Sequence, residues 1–457
     1  IPHSGLSVNR VVILPIKVGF VSLGCAKNLI NTEVMISKLA EAGCEIVAED
    51  IDADVIVINT CAFIQSAKQE AIDNILDVAW LKENRSLKGI VVTGCLAERY
   101  KEQIFEELPE VDAVIGTGAY DDVVEAVKCA YEKKRFSCFH NISEAPMGGD
   151  RVITTPEFFA YIKIAEGCDN CCTYCVIPSL RGKFRSRRMS DIVNEAKDLA
   201  ALGVKELCVI AQDTTRYGED IYGTYCLDSL LRELSTIDGI EWIRVLYMYP
   251  DRITDALIDE IANNPKIVKY FDIPVQHVTD RMLSAMNRRD TAASIRSTVE
   301  RIRAKIPDAV LRTTFITGFP GETEEDYKAM GDFIDEMKFD RLGVFEYSRE
   351  EGTKAYDMPD QIPAATKHKR CKALMKRQQA VHAAKNRELV GKTVKVLSEG
   401  YDKVSECFFG RSFRDAPDVD GKIYFHSSRN VKDGTFVDVK IVDVIDYDLV
   451  GQAVFTD

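Results

Sequence analysis

The stretch EGCDNCCTYCVIPSLRG, residues 166–182, limits the possible folds of this 457-residue chain more than any other. It follows an apolar strand over 161–165 and sets Cys168, Cys172 and Cys175 in C-x3-C-x2-C spacing. Three thiolates on one tight loop can hold three irons of a [4Fe–4S] cluster and leave the fourth iron open to a chelating ligand. Cys171 offers a second frame, C-x2-C-x3-C through Cys168, Cys171 and Cys175. The first frame is preferred because it sets the aromatic Tyr174 directly before the last cysteine, which makes Cys171 a bystander. After the loop a strand–helix beat continues, with strands at 206–211, 242–247, 270–273, 311–316 and 342–347. With the first strand that makes six, which predicts an open (βα)6 partial barrel rather than a closed eight-stranded one. Gln212, Asp213, Arg244, Gln276, His277, Arg312 and Glu346 cluster at the predicted carboxyl ends, the face on which such barrels do chemistry. Taken singly, each reads as a capping or solvated side chain, and a lone His277 reads as a hydrogen-bonded histidine. The run GFPGETEEDY, 318–327, is explained by a turn followed by acids at a helix start.

Upstream, a second cysteine pattern is spread over a longer span. From residue 17 to about 140 an apolar strand is followed by an amphipathic helix, with strands at 17–23, 55–59 and 89–93. That beat predicts a parallel sheet. Each strand runs into a cysteine: GFVSLGC ends in Cys25, VIVINTC in Cys61 and IVVTGC in Cys95, 36 and 34 residues apart. In a right-handed parallel arrangement the carboxyl ends share one edge, so the three thiols converge. Their neighbours Gly24, Ala26, Thr60, Ala62 and Gly94 are small or turn-forming and leave room for a bulky inorganic core. A core cysteine is commonly just a small hydrophobe, but three at one strand-end position argue for shared ligation. Three cysteines and one further ligand also make a zinc site, and this domain alone does not separate the two. Cys44, Cys129 and Cys138 fall outside the pattern and read as ordinary thiols.

Composition narrows the class. Fourteen cysteines with no secretory signal ahead of them fit a reduced cytosol better than a disulfide scaffold. No apolar run approaches the length of a membrane span, so a soluble, cytoplasmic protein is expected. The net charge of −13 has the wrong sign for a protein that grips nucleic acid across its whole surface. A basic partner, or a local basic patch such as Arg181, Lys183, Arg185, Arg187 and Arg188, is the better expectation. That patch would meet an anionic group of a partner, or is a solvated loop.

The predicted organisation is α/β, with an extension at 1–16, a parallel-sheet domain at 17–142, the partial barrel with its linker helix at 155–386, and a small antiparallel β-barrel at 389–457. The linker helix, 363–389, carries a basic run that reads as a solvated face. Short alternating strands at 393–398, 403–409, 421–426, 436–444 and 449–455 predict the barrel. Residues 390–457 hold nine Lys and Arg against twelve Asp and Glu, which suits a basic protein better than RNA. Asp415, Asp418 and Asp420 are expected to be exposed there and to face the substrate.

This order of modules resembles the methylthiotransferases of the radical S-adenosylmethionine superfamily, whose last module is the TRAM barrel, from about residue 17 to the end. Six ligand positions match together. GFVSLGCAKNLINTE and AYIKIAEGCDNCCTYCVIPSLRG are similar to the RimO-type branch, which modifies an aspartate of small-subunit ribosomal protein uS12. The tRNA-modifying branch carries Gln-Met-Asn after its first cysteine, where Ala26, Lys27 and Asn28 stand here, and Asn31, Thr32 and Glu33 replace the usual Asp-Ser-Glu. The resemblance implies two [4Fe–4S] clusters, on Cys25, Cys61 and Cys95 and on Cys168, Cys172 and Cys175, with S-adenosylmethionine on the second. It implies that a deoxyadenosyl radical takes hydrogen from the aspartate β-carbon, because that carbon is beyond the reach of a side-chain base. Sulfur on the first cluster, methylated by a second S-adenosylmethionine, then joins the carbon, so both clusters face one cavity. Tyr174 would pack near the adenine, Gln212 and Asp213 would touch the sulfonium cofactor, and no catalytic side chain is expected beyond the clusters. The implied partners are uS12, free or in the small ribosomal subunit, and an electron donor such as flavodoxin or ferredoxin. The alternatives are a tRNA adenosine as substrate and, from a different class, a two-cluster electron carrier without radical chemistry.

Overall fold

The computed structural model describes residues 15–455, and the chain divides into two compact units between Val152 and Ile153. The extension expected before Lys17 lies, through residue 14, outside the described residues.

In the first unit a six-stranded sheet is parallel throughout, in the order β2-β1-β3-β4-β5-β6. Its strands are β1 Lys17–Ser22, β2 Glu45–Ile46, β3 Val55–Thr60, β4 Gly89–Gly94, β5 Ala113–Ile115 and β6 Phe136–Cys138. The runs VIVINT of β3 and GIVVTG of β4 are buried at every residue, as strands covered on both faces must be. Val55, Val57 and Val91 pack with Val34, Leu39, Val123 and Val127 from the helices Ala26–Glu41 and Val123–Tyr131. β2, β5 and β6 are too short to show a period in sequence. One consequence is that Cys138, read from sequence as outside the strand-end pattern, is in fact the last residue of a strand.

The second unit holds the other two modules. β7 Phe159–Lys163, β10 Glu206–Ile210, β11 Trp242–Val245, β12 Ile267–Asp272, β13 Val310–Thr317 and β14 Arg341–Glu346 pair in chain order, all parallel. β14 and β7 do not pair, so the expected open six-stranded barrel is what forms. A small ladder, β8 Ala165–Glu166 with β9 Arg185–Ser186, brackets the cysteine loop. Strands β15 Thr393–Asp402, β16 Cys407–Ser412, β17 Ile423–His426, β18 Phe436–Ile445 and β19 Asp448–Val454 close a barrel, four pairings antiparallel and β17–β19 parallel.

The small barrel is keyed to strands β7, β10, β11, β12 and β14 of the large one through buried polar and charged groups. Glu206, at the start of β10, accepts from Arg244 Nε and Arg411 Nη2, both at 2.8 Å, and all three are buried. Arg244 also donates to the Phe413 carbonyl at 2.8 Å, Arg341 to Asp415 at 2.6 Å, Tyr270 to Asp420 at 2.6 Å and Tyr161 to Asp418 at 3.1 Å. Three expectations are corrected by this. Asp415 and Asp420 are not exposed carboxylates awaiting a substrate: their side chains are 4% and 3% exposed and pair with Arg341, and Asp418, exposed as a residue, is tied to Tyr161. Arg244 and Arg312 are not at carboxyl ends but inside their strands, Arg312 bound to Asp272 at 3.0 Å. The basic run of the helix Ala364–Arg387 is not wholly solvated, because Arg370 is buried against Glu322 at 2.6 Å.

Candidate metal centre

Following β8, the peptide turns at Gly167 (φ +82°), whose Cβ position would fall on the backbone at Gly182 and Lys183. Only glycine permits that approach, and it brings Cys168 back over the loop, with its N–H on the Gly182 carbonyl at 3.1 Å. Cys168 and Cys172 are buried and Cys175 is half-buried. Cys171 differs: it is exposed, its backbone is left-handed (φ +50°), and its carbonyl is held by Asn287 at 3.0 Å.

Burial pushes the Cys168 thiol up to about 11 and raises Cys175 further, with the neighbouring cysteines adding to both. A pocket of that kind accepts thiolates once cations share their charge, which is the donor chemistry of a metal cluster. Asn170 donates to Cys168 Sγ at 3.4 Å, and the Tyr249 hydroxyl lies 3.6 Å from Cys172 Sγ. Neither residue stood out in sequence, because the groups that position them are far along the chain. Asn170 is fixed by Arg252, which donates to its Oδ1 at 3.2 Å, and by Asp213, which accepts from its Nδ2 at 3.0 Å. Arg288 lies over the Tyr249 ring at 4.3 Å.

Asp213 is fully buried, and its oxygens are taken by Asn170, Arg252 and Thr215. It therefore holds the cysteine loop. Gln212 donates to Glu166 at 2.5 Å and turns a buried Oε1, with no partner among the described residues, to the same carboxyl end. Glu166 lies between Lys163 at 2.7 Å and Arg181 at 3.5 Å. Burial would raise its carboxyl, but these cations override that and hold it at about 2. Arg181 and Arg187 are thus internal, Arg187 donating to the Lys163 carbonyl at 2.7 Å, and of the basic patch only Lys183 and Arg188 are exposed. Tyr174 meets Phe319 edge to face at 6.5 Å, in an apolar cluster with Met282, Met286 and Tyr347. His277 is fully buried and accepts at Nδ1 from the Val278 N–H at 2.8 Å, but its Nε2 has no hydrogen-bond partner among the described residues and lies 3.7 Å from Glu322, so it is only half satisfied, short of the hydrogen-bonded histidine expected. Gln276 sits on a left-handed backbone beside Phe315, and Glu346 pairs with His368 at 3.0 Å.

In the first unit, Cys25, Cys61 and Cys95 follow the adjacent strands β1, β3 and β4 at their carboxyl ends. Cys25 is the N-cap of the helix Ala26–Glu41 and Cys95 opens the helix Cys95–Tyr100, whereas three residues separate Cys61 from its helix, Gln65–Asn84. Buried Asn28 stitches the three ends: it donates to the Leu23 carbonyl at 3.1 Å and the Thr60 carbonyl at 2.9 Å, and its Oδ1 lies 3.9 Å from Cys95 Sγ. Gly24 (φ +89°) permits the closeness, since a Cβ there would stand 2.7 Å from that of Cys61. Thr32, which stands for the usual serine, keeps its hydroxyl bonded to Ser22 and Asn59 at 2.9 Å.

Comparison with known proteins bears on both units. Residues 17–116 match "Uncharacterized protein family UPF0004", 162–334 the "Radical SAM superfamily" and 390–454 the "TRAM domain". Proteins named "Ribosomal protein uS12 methylthiotransferase RimO" from Acetivibrio thermocellus and Geobacter sulfurreducens are each 48% identical to this chain, over 96% of it and 98% of theirs. A third, from Clostridioides difficile, is 47% identical over 96% of this chain and 99% of its own. Among solved structures, the radical S-adenosylmethionine methyltransferase TsrM from Kitasatospora setae, with cobalamin and a [4Fe–4S] cluster bound, superposes with TM-score 0.53 at 14% identity, over 75% of this chain and 77% of that one. That likeness is one of fold.

Proposed function

The chain belongs to the RimO family of radical S-adenosylmethionine methylthiotransferases, and from that premise we propose that it adds a methylthio group to the β-carbon of an aspartate in ribosomal protein uS12. It is a transferase, and its superfamily implies S-adenosylmethionine and a [4Fe–4S] cluster. The observation that carries the finer reading is the pair of cysteine triads, one after β1, β3 and β4 and one in the loop after β8.

Cys168, Cys172 and Cys175 hold one cluster, and the outward-facing, left-handed Cys171 supports that frame over its alternative. Cys25, Cys61 and Cys95 hold a second. When bound, these groups supply the electron and hydrogen-abstracting radical at one site and the methylthio sulfur at the other. The side chains do the positioning. Asn170 donates to Cys168 Sγ and the Tyr249 hydroxyl lies beside Cys172 Sγ, while Asp213 and Arg252 keep Asn170 in place. Gln212 Oε1 is an acceptor for a cofactor donor group, and Tyr174 with Phe319 offers an apolar wall for the adenine. The net charge of −13 favours encounter with a basic ribosomal protein over RNA. Such a substrate implies work in the cytoplasm, with a flavodoxin- or ferredoxin-type reductant, and among the described residues no helix is long and apolar enough to cross a membrane.

Anaerobic reconstitution tests the cofactor content. Two four-iron clusters give about eight irons per chain. About four irons, with zinc retained on Cys25, Cys61 and Cys95, would overturn the second cluster.

A further inference from the structure

We propose that Asp122, Cys138 and His140 form a binding site for a divalent cation of the zinc class on the carboxyl edge of the first unit's sheet. Cys138 closes β6, His140 follows two residues later, and Asp122 precedes the helix Val123–Tyr131. Cys138 Sγ lies 3.5 Å from His140 Nε2, and that nitrogen lies 2.8 Å from Asp122 Oδ2. The three ligating atoms are all within 4.8 Å of one another.

What distinguishes this cluster is which nitrogen is used. A Cys–His–Asp relay needs both ring nitrogens, one toward the nucleophile and the other toward the carboxylate. Here thiol and carboxylate crowd the same Nε2, so no relay is built and three lone-pair atoms converge on one point. One sulfur, one imidazole nitrogen and one carboxylate oxygen are zinc donors, whereas calcium and magnesium prefer oxygen alone.

The distances fit. Zn–S near 2.3 Å and Zn–N near 2.05 Å at a tetrahedral angle put S and N about 3.6 Å apart, against the 3.5 Å present. The N···O separation opens from 2.8 Å to about 3.4 Å as the metal replaces the bridging proton. The thiol proton and the bridging proton both leave to solvent, and the imidazole ligates neutral, with a proton on Nδ1. The His140 and Asp122 side chains are 55% and 33% exposed, which leaves an entry path and room for water as a fourth ligand. β5 stands between β6 and β4, and Cys25, Cys61 and Cys95 follow β1, β3 and β4, so the metal site has a strand of its own. Bound metal would tie the three-residue edge strand β6 to the turn ahead of the helix and stabilise that edge by mass action.

The test is a cobalt titration of the iron-reconstituted full chain, in which the cluster cysteines are already occupied. We expect one thiolate-to-cobalt charge-transfer band per chain that zinc displaces, with affinity at least tenfold weaker in Cys138→Ser and in His140→Gln and unchanged in Cys129→Ser. Asp122→Asn should weaken binding with the thiol retained, and iron content should be equal in all variants, which separates this site from the cluster ligands. A wild-type chain without the band, or a band that survives in both Cys138→Ser and His140→Gln, would overturn the proposal.

Discussion

Asn170 joins the cysteine loop to the rest of the barrel with one amide. Its Nδ2 faces both Cys168 Sγ and Asp213, and its Oδ1 faces Arg252, so every donor and acceptor is assigned. A hydrogen bond to a cluster sulfur favours the reduced, more negative state. Asn170→Ala is therefore expected to lower the midpoint potential of the Cys168 cluster by roughly 20–60 mV, a fraction of a tenfold to a full tenfold change in a one-electron equilibrium. A redox titration followed by electron paramagnetic resonance measures this, and an unchanged potential would contradict it. Glu166 gives a pH prediction. Its folded value of about 2 lies below the ordinary 4.5, so its stabilisation is present above pH 4.5 and lost as pH falls through about 2. Glu166→Gln takes the 2.7 Å carboxylate from buried Lys163 and should cost about 3 kcal/mol at pH 7. The gap to wild type should close as pH falls from 4.5 toward 2 in denaturant melts. At this scale the grouping of the cysteines was legible, because spacing and strand position bring them together without the rest of the fold. Arg252 was not, because it meets Asn170 across 82 residues and only the folded barrel brings them together.

The segment 412–420 shows how an element can be misread when its residues are judged by composition. A proline and three aspartates between strands suggest an exposed turn, yet the barrel beneath supplies Arg341, Tyr270 and Tyr161 as partners. Burial would raise the Asp415 carboxyl, and Arg341 overrides that and holds it below the usual range. Asp415→Asn should cost about 3 kcal/mol, because it takes from the buried Arg341 guanidinium its 2.6 Å partner and leaves it only Asp420, 3.7 Å away. Replacing the pair together, Arg341→Met with Asp415→Leu, should cost much less. Thermal unfolding of the single and double variants decides, and equal losses would refute the pairing. The long strands were readable from their apolar runs, and the six-strand count held. The three-residue β5 and β6 were not, since two or three residues carry no period, and so the strand-end place of Cys138 was hidden. The parallel pairing of β17 with β19 is a closure that only the assembled barrel shows.

At the scale of the whole molecule, the order of modules and the two cysteine triads were legible in sequence. The folds follow from strand–helix alternation, and the placing of each triad from cysteine spacing and strand ends. How the small barrel joins the large one was not legible, because that junction is made of charges that sequence alone assigns to solvent. The central claim is that this acidic chain of net charge −13 transfers a methylthio group to uS12 by dividing the labour between its triads. The most direct measurement is mass analysis of uS12 after turnover by wild type and by the Cys25→Ala, Cys61→Ala, Cys95→Ala variant, with deoxyadenosine release read in the same samples. The account predicts that wild type replaces one hydrogen of uS12 by one SCH3, and that the variant releases deoxyadenosine but leaves uS12 without that mass. A variant that still methylthiolates uS12, or a wild type that modifies tRNA and leaves uS12 untouched, would contradict it.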